Sequence, residues 1–83
     1  SGATAIETSA ELLEKYSKKK IIMLTSSSRL LNNFPKEVHE KAMKYFKKFS
    51  NFEVIFNEKV TKITNDYVLT KSDKKFTSDI TLI

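Results

Sequence analysis

Gly2, Ala3, Thr4 and Ala5 form a run of small residues directly ahead of a helical pattern, and Thr25, Ser26, Ser27 and Ser28 set four hydroxyls in a row before the only arginine, Arg29. The first run suits an anion. Glycine lets a backbone approach a ligand closely, and the amino end of a helix offers unpaired N–H groups with a partial positive charge. With a glycine ahead of Ser1, the stretch Ser1-Gly2-Ala3-Thr4-Ala5-Ile6-Glu7 would complete a G-x-G-x-x-A fingerprint, the pattern that cradles a pyrophosphate. By itself this signal is weak, because a helix cap or a residue added in cloning also accounts for one glycine. The second run reads as an ordinary polar turn, a phosphorylation target or a ligand loop. Its position favours a ligand, since doubly wound sheets bind outside the carboxyl ends of their strands and this loop leaves such an end.

Other reactive residue types are sparse. Glu7 suits the first turns of a helix, where a carboxylate offsets the dipole. His39 has no second His, Cys or paired acid at ligand spacing, so neither metal binding nor acid–base catalysis is expected of it, and it reads as a surface histidine. The absence of cysteine excludes a disulfide framework, a thiolate metal site and a dithiol redox centre.

The elements that must position these residues follow from periodicity. Ile6, Ala10, Leu13 and Tyr16 recur at helical spacing and predict a helix over 3–17. Ile21, Ile22, Met23 and Leu24 form an unbroken apolar run, predicting a central strand over 21–25 that is buried on both faces. Pro35 suits the opening of a second helix over 35–49, with Val38, Ala42, Tyr45, Phe46 and Phe49 on one stripe. A second buried strand is expected over 52–56. Alternating residues broken by Asn65-Asp66 and Ser72-Asp73-Lys74 then predict a three-stranded antiparallel meander over 59–83. Lys18 to Lys20 and the lysines of the second helix are expected on solvated faces, and Tyr45, Phe46, Phe49, Phe52 and Phe56 in the core.

Eighty-three residues are too few for two domains and leave little stability to hold a strained catalytic site. Hydrophobic residues at 40% and charged residues at 30% describe a globular chain. The net charge of +5 rests on fourteen Lys and one Arg against ten acids. That skew argues against nucleic acid as the partner, because such sites favour the bidentate guanidinium. No run approaches the ~20 apolar residues of a membrane span, so no membrane contact is expected from this segment. The fold class is α/β. An α/β unit begins with a strand that feeds its first helix, and none precedes Ala3, so the chain reads as a Rossmann-like domain whose first strand is missing.

Gly2 to Leu12, then Ile21 to Leu24, Ser26-Ser27-Ser28-Arg29-Leu30-Leu31, Phe34-Pro35 and Lys36 to Tyr45 together resemble the NAD(P)-binding domain of the FAD-dependent pyridine nucleotide-disulfide oxidoreductases. The resemblance is to the cysteine-free branch with type II NADH dehydrogenases and apoptosis-inducing-factor-like proteins. It covers essentially all 83 residues, including a closing apolar strand preceded by an acid, Asp79-Ile80-Thr81-Leu82-Ile83. The order and spacing of the motifs carry it rather than any single one.

This resemblance implies that Gly2, Ala3 and Thr4 face the pyrophosphate of NAD(P)H and that Glu7 lies near the nicotinamide. Thr25 matches the strand end where NADH-preferring members place an acid for the ribose hydroxyls. Here Ser26, Ser27 and Arg29 instead suit a 2′-phosphate through charge-assisted hydrogen bonds. The FAD-binding domain is absent, so FAD belongs to the parent only and that domain is the expected partner. In the family's sheet the missing strand lies between the 21–24 strand and the last one. An open slot is therefore expected, closed by a homodimer, by strand swapping or by direct pairing. The expected function is NAD(P)H binding for a flavin-dependent oxidoreductase that passes hydride to flavin and on to a quinone or similar acceptor. A small basic module binding nucleic acid or an acidic protein surface is the alternative.

Overall fold

The apolar run 21–24 has side chains on both faces of its strand, and burying both requires a layer on each side. The computed structural model, which describes residues 3–83, has that architecture. Its elements in chain order are α1 (Ala3–Lys15), β1 (Ile21–Leu24), α2 (Lys36–Phe46), β2 (Phe52–Ile55), β3 (Val60–Ile63), β4 (Val68–Thr70), β5 (Lys75–Phe76) and β6 (Ile80–Leu82). A parallel sheet of order β2-β1-β6 lies between the two helices and an antiparallel sheet of order β3-β4-β5. The chain is thus a mixed α/β, Rossmann-like domain.

On the helix side, Ile21 and Met23 pack with Leu13 of α1, Leu30, Leu31 and Phe46 of α2. On the other, Ile22 and Leu24 pack with Val68 of β4. All four β1 side chains are buried. The strand is central because it pairs in parallel with β2 through Ile21↔Phe52 to Leu24↔Ile55, and with β6 through Ile21↔Ile80 to Met23↔Leu82.

Three expectations need correction. The stretch 76–83 is not one strand of the meander: β5 ends at Phe76, and β6 crosses to the parallel sheet. There the Asp79 carboxylate accepts the Lys20 N–H at 2.7 Å and the Lys20 carbonyl accepts the Ile80 N–H at 3.1 Å, aligning the starts of β6 and β1. β1 and β6 are hydrogen-bonded neighbours, which is the direct pairing expected as one way of closing the slot. The strand expected as buried over 52–56 is an edge strand with Glu53 exposed, because only one of its sides is paired. The second helix runs from 36 to 46 rather than 35 to 49. Pro35 is its N-cap, and the Lys48 and Phe49 N–H groups tighten onto Tyr45 and Phe46 three residues back. In α1 the most buried position is polar. Ser9 is fully enclosed, and its hydroxyl donates to the Ala5 carbonyl at 2.8 Å.

Asn51 orients the helix-to-strand connection. Its amide donates to the carbonyls of Tyr16, at 3.0 Å, and Lys19, at 2.8 Å, while its own carbonyl accepts the Ile21 N–H at 2.9 Å. The end of α1 is thereby tied to the start of β1, and the helix returns along the sheet through Ala5, Ile6, Leu12 and Leu13. Its 13 residues span about 20 Å. Its first turn therefore lies toward the carboxyl end of β1.

Candidate functional site

The carboxyl ends of β1 and β2 are joined by backbone hydrogen bonds. Past the strands, the Thr25 N–H donates to the Ile55 carbonyl at 3.0 Å, the Glu58 N–H to the Thr25 carbonyl at 3.0 Å and the Asn57 N–H to the Ser27 carbonyl at 3.0 Å. Asn57 takes a left-handed φ of 60° to make this turn, a conformation Asn tolerates. The hydroxyl loop is therefore anchored at both Thr25 and Ser27.

The loop's interior is arranged by its own side chains. The Thr25 hydroxyl accepts the Ser27 N–H at 3.2 Å, and Thr25 is buried. Its side chain supports the turn from inside, and the exposed hydroxyls of Ser26 and Ser28 form the outer surface. Ser27 is half-buried, and its hydroxyl accepts from the Asn32 amide at 3.4 Å. Arg29, also half-buried, donates from Nη2 to the carbonyls of Asn32, at 3.2 Å, and Phe34, at 3.3 Å. Those two bonds occupy both Nη2 protons and leave Nε–H and Nη1 to donate elsewhere.

Leu31 has φ 50°, a left-handed conformation that favours glycine and is strained for a branched side chain. Four contacts hold it. Leu30 and Leu31 are buried in the core, the Phe34 N–H donates to the Leu31 carbonyl at 2.9 Å, and Arg29 spans the turn. The fourth comes from α2: His39 Nδ1 accepts the Leu30 N–H at 2.8 Å, with its ring edge-on to Phe56 at 5.8 Å. His39 is thus a half-buried loop anchor rather than the surface residue expected of it. Its isolation in sequence gave no sign of this, because its partner is a backbone amide.

Beyond the loop, Glu58 is enclosed by the turn between β4 and β5. Its carboxylate accepts from the Ser72 hydroxyl and pairs with Lys74 at 3.3 Å. Hydrogen bonds from Ser72 and Thr70 hold its carboxyl below the usual range, aided by the Lys74 charge and opposed by burial. Glu58 escaped sequence reasoning because its neighbours in space are far along the chain.

At the other expected subsite, Ala3 and Thr4 are exposed on the first turn of α1, which carries no acid. Glu7 is exposed on the next turn. Gly2 lies outside the described residues. The first turn of α1 and the loop 25–29 share one end of the parallel sheet, with Ala5 and Ile6 packed against the cluster that contains Leu30 and Leu31.

The family model described as pyridine nucleotide-disulphide oxidoreductase matches residues 1–83. The chain belongs to that family. No curated protein matches it. Members of the pyridine nucleotide-disulphide oxidoreductase family use FAD and NAD(P)H. Among the described residues the first turn of α1 carries no acid, and Glu7 stands one turn further on. Among the described residues the ion pair is that of Lys74 with Glu58, so the half-buried Arg29 has no carboxylate against it. Among the described residues, no group of three or more His, Cys, Asp or Glu is placed to hold a metal.

Proposed function

We propose that the chain is the NAD(P)H-binding piece of a flavin-dependent oxidoreductase of the branch that holds type II NADH dehydrogenases and apoptosis-inducing-factor-like proteins. The electrons go on to a quinone or similar acceptor, and FAD is held by the FAD-binding domain of the parent. The observation that supports this most is the Arg29 guanidinium, half-buried at the carboxyl end of the parallel sheet, oriented by two carbonyls and without a carboxylate partner among the described residues.

When bound, the nicotinamide supplies the hydride that reduces flavin. The work of this chain is positioning. Gly2, Ala3 and Thr4 receive the pyrophosphate, where backbone N–H groups and the helix end favour negative charge. Glu7 lies toward the nicotinamide. Ser26 and Arg29 take the 2′-phosphate of NADPH, with Ser27 and the buried Thr25 shaping the turn beneath them.

Amide chemical shifts followed during titration with NADPH and then NADH test this reading. Shifts at residues 3–7 and 25–29, larger with NADPH and abolished by Thr4→Arg, are the expected result. A spectrum unmoved by either dinucleotide overturns it. Binding that ignores Thr4→Arg and weakens steeply with salt would instead favour a basic module for polyanions.

A further inference from the structure

We infer that His39 is the positioning residue of the Arg29 anion site, acting through the backbone of Leu30. The inference rests on the proposed dinucleotide reading for its ligand, and on the loop geometry alone for the coupling between the two side chains.

Leu30 is fully buried, so its N–H has no access to water and needs an acceptor inside the protein. The acceptor is His39 Nδ1 at 2.8 Å, from the first turns of α2. An imidazole accepts at Nδ1 only as the tautomer with its proton on Nε2. Phe56, which follows β2, packs edge-on against the ring and fixes its plane. The peptide that carries this N–H also carries the Arg29 carbonyl, so the bond sets the orientation of the peptide on which the guanidinium is mounted. The next residue, Leu31, is the strained one at φ 50°. Without an acceptor for Leu30, the turn loses the contact that offsets this strain on its amino side and keeps only core burial, the Phe34 N–H bond to the Leu31 carbonyl and the bonds from Arg29 to Asn32 and Phe34.

Arg29 is assigned to the 2′-phosphate, a group that NADPH has and NADH lacks. A displaced guanidinium therefore weakens NADPH and spares NADH, whereas general loosening of the fold weakens both. This split separates positioning from a merely structural role.

The test uses His39→Leu, which removes the acceptor, and His39→Asn, whose side-chain carbonyl can stand where Nδ1 stands. Both dinucleotides are titrated against each variant by amide shifts, with spectral dispersion as the check on folding. His39→Leu should weaken NADPH about tenfold and leave NADH within about twofold, and His39→Asn should restore NADPH. Equal weakening of both dinucleotides, or no difference between Leu and Asn at this position, overturns the inference. Should His39→Leu fail to fold, His39→Gln replaces it, since its amide reaches one bond too far to substitute for Nδ1.

The coupling is also read without ligand, from the Arg29 Nε–H resonance and the exchange rate of the Leu30 amide. Displacement of that resonance and faster exchange in His39→Leu, both reversed in His39→Asn, support the coupling even if the wild-type chain binds neither dinucleotide, an outcome that would overturn the proposed function alone. An unmoved Arg29 resonance overturns the coupling itself.

Discussion

Met23 and Leu82 are register partners in adjacent parallel strands, so the last strand of the chain lies directly against the first. Both belong to the helix-side core, where Leu82 is half-buried with Ile80. The β1 edge away from β2 is consequently paired only when residues 80–82 are in place.

Leu82→Ala should destabilise the protein by about 1–3 kcal/mol, below the cost at a fully enclosed leucine. Ile83→Ala, at a residue 64% exposed, should change stability by less than about 0.5 kcal/mol. Urea unfolding of the two variants measures the contrast. Equal effects would mean that β6 contributes no more than a frayed terminus.

Asn51→Ala should cost about 1–3 kcal/mol, because it strands the carbonyls of Tyr16 and Lys19 that now share one side-chain amide. Hydrogen exchange should accelerate first at the start of β1, whose Ile21 N–H is bound to the same residue's carbonyl.

Acid should unfold the protein partly through Glu58. Its carboxyl ionises at lower pH in the folded chain than the ordinary value of 4.5, chiefly because of the Ser72 and Thr70 hydrogen bonds. The stability this contributes is complete above that ordinary value and is lost as pH falls through the folded one. Glu58→Gln should therefore lower the urea midpoint at neutral pH and flatten its decline in acid. A variant with the wild-type acid profile would assign acid unfolding to other carboxylates.

At alkaline pH the corresponding group is Tyr45. Its hydroxyl donates to Glu14 at 2.9 Å, bridging α2 to α1, and this bond to a carboxylate raises its pKa above 10.0, with smaller contributions from burial and the Glu14 charge. The associated stability is complete below the unfolded value and disappears as pH rises through the folded one. Tyr45→Phe should be less stable near neutrality and insensitive in that alkaline window, as read from thermal unfolding at graded pH.

Arg29→Lys should weaken NADPH, since an ammonium that bonds Asn32 and Phe34 lacks the Nε–H and Nη1 that the guanidinium keeps free for a phosphate. Loss of NADPH selectivity with NADH unchanged is the expected titration result. Unaltered NADPH binding would place the 2′-phosphate elsewhere.

Where a pattern was local, it was legible. The unbroken run Ile21 to Leu24 announced a strand covered on both faces. Around the site, the loop 25–29 was recognisable from its hydroxyls and lone arginine. The roles of its members were not, because Thr25 turns inward and Arg29 grips carbonyls of its own turn. His39 and Glu58 were invisible as site residues for the same reason: each is defined by partners brought to it by folding, the Leu30 amide for one and Ser72 with Lys74 for the other.

Composition and periodicity by themselves determined the α/β class, the two helices, the burial of β1 and the absence of thiol chemistry, because each depends on residue types at short, regular separations. Only the tertiary structure decided which strands are neighbours. Strand alternation marks residues 76–83 as extended, and extended chain pairs equally well in a meander or in a parallel sheet. Burial of Ile80 and Leu82 beside Ile21 and Met23, with Asp79 bonded to the Lys20 amide, resolves that choice in favour of the parallel sheet.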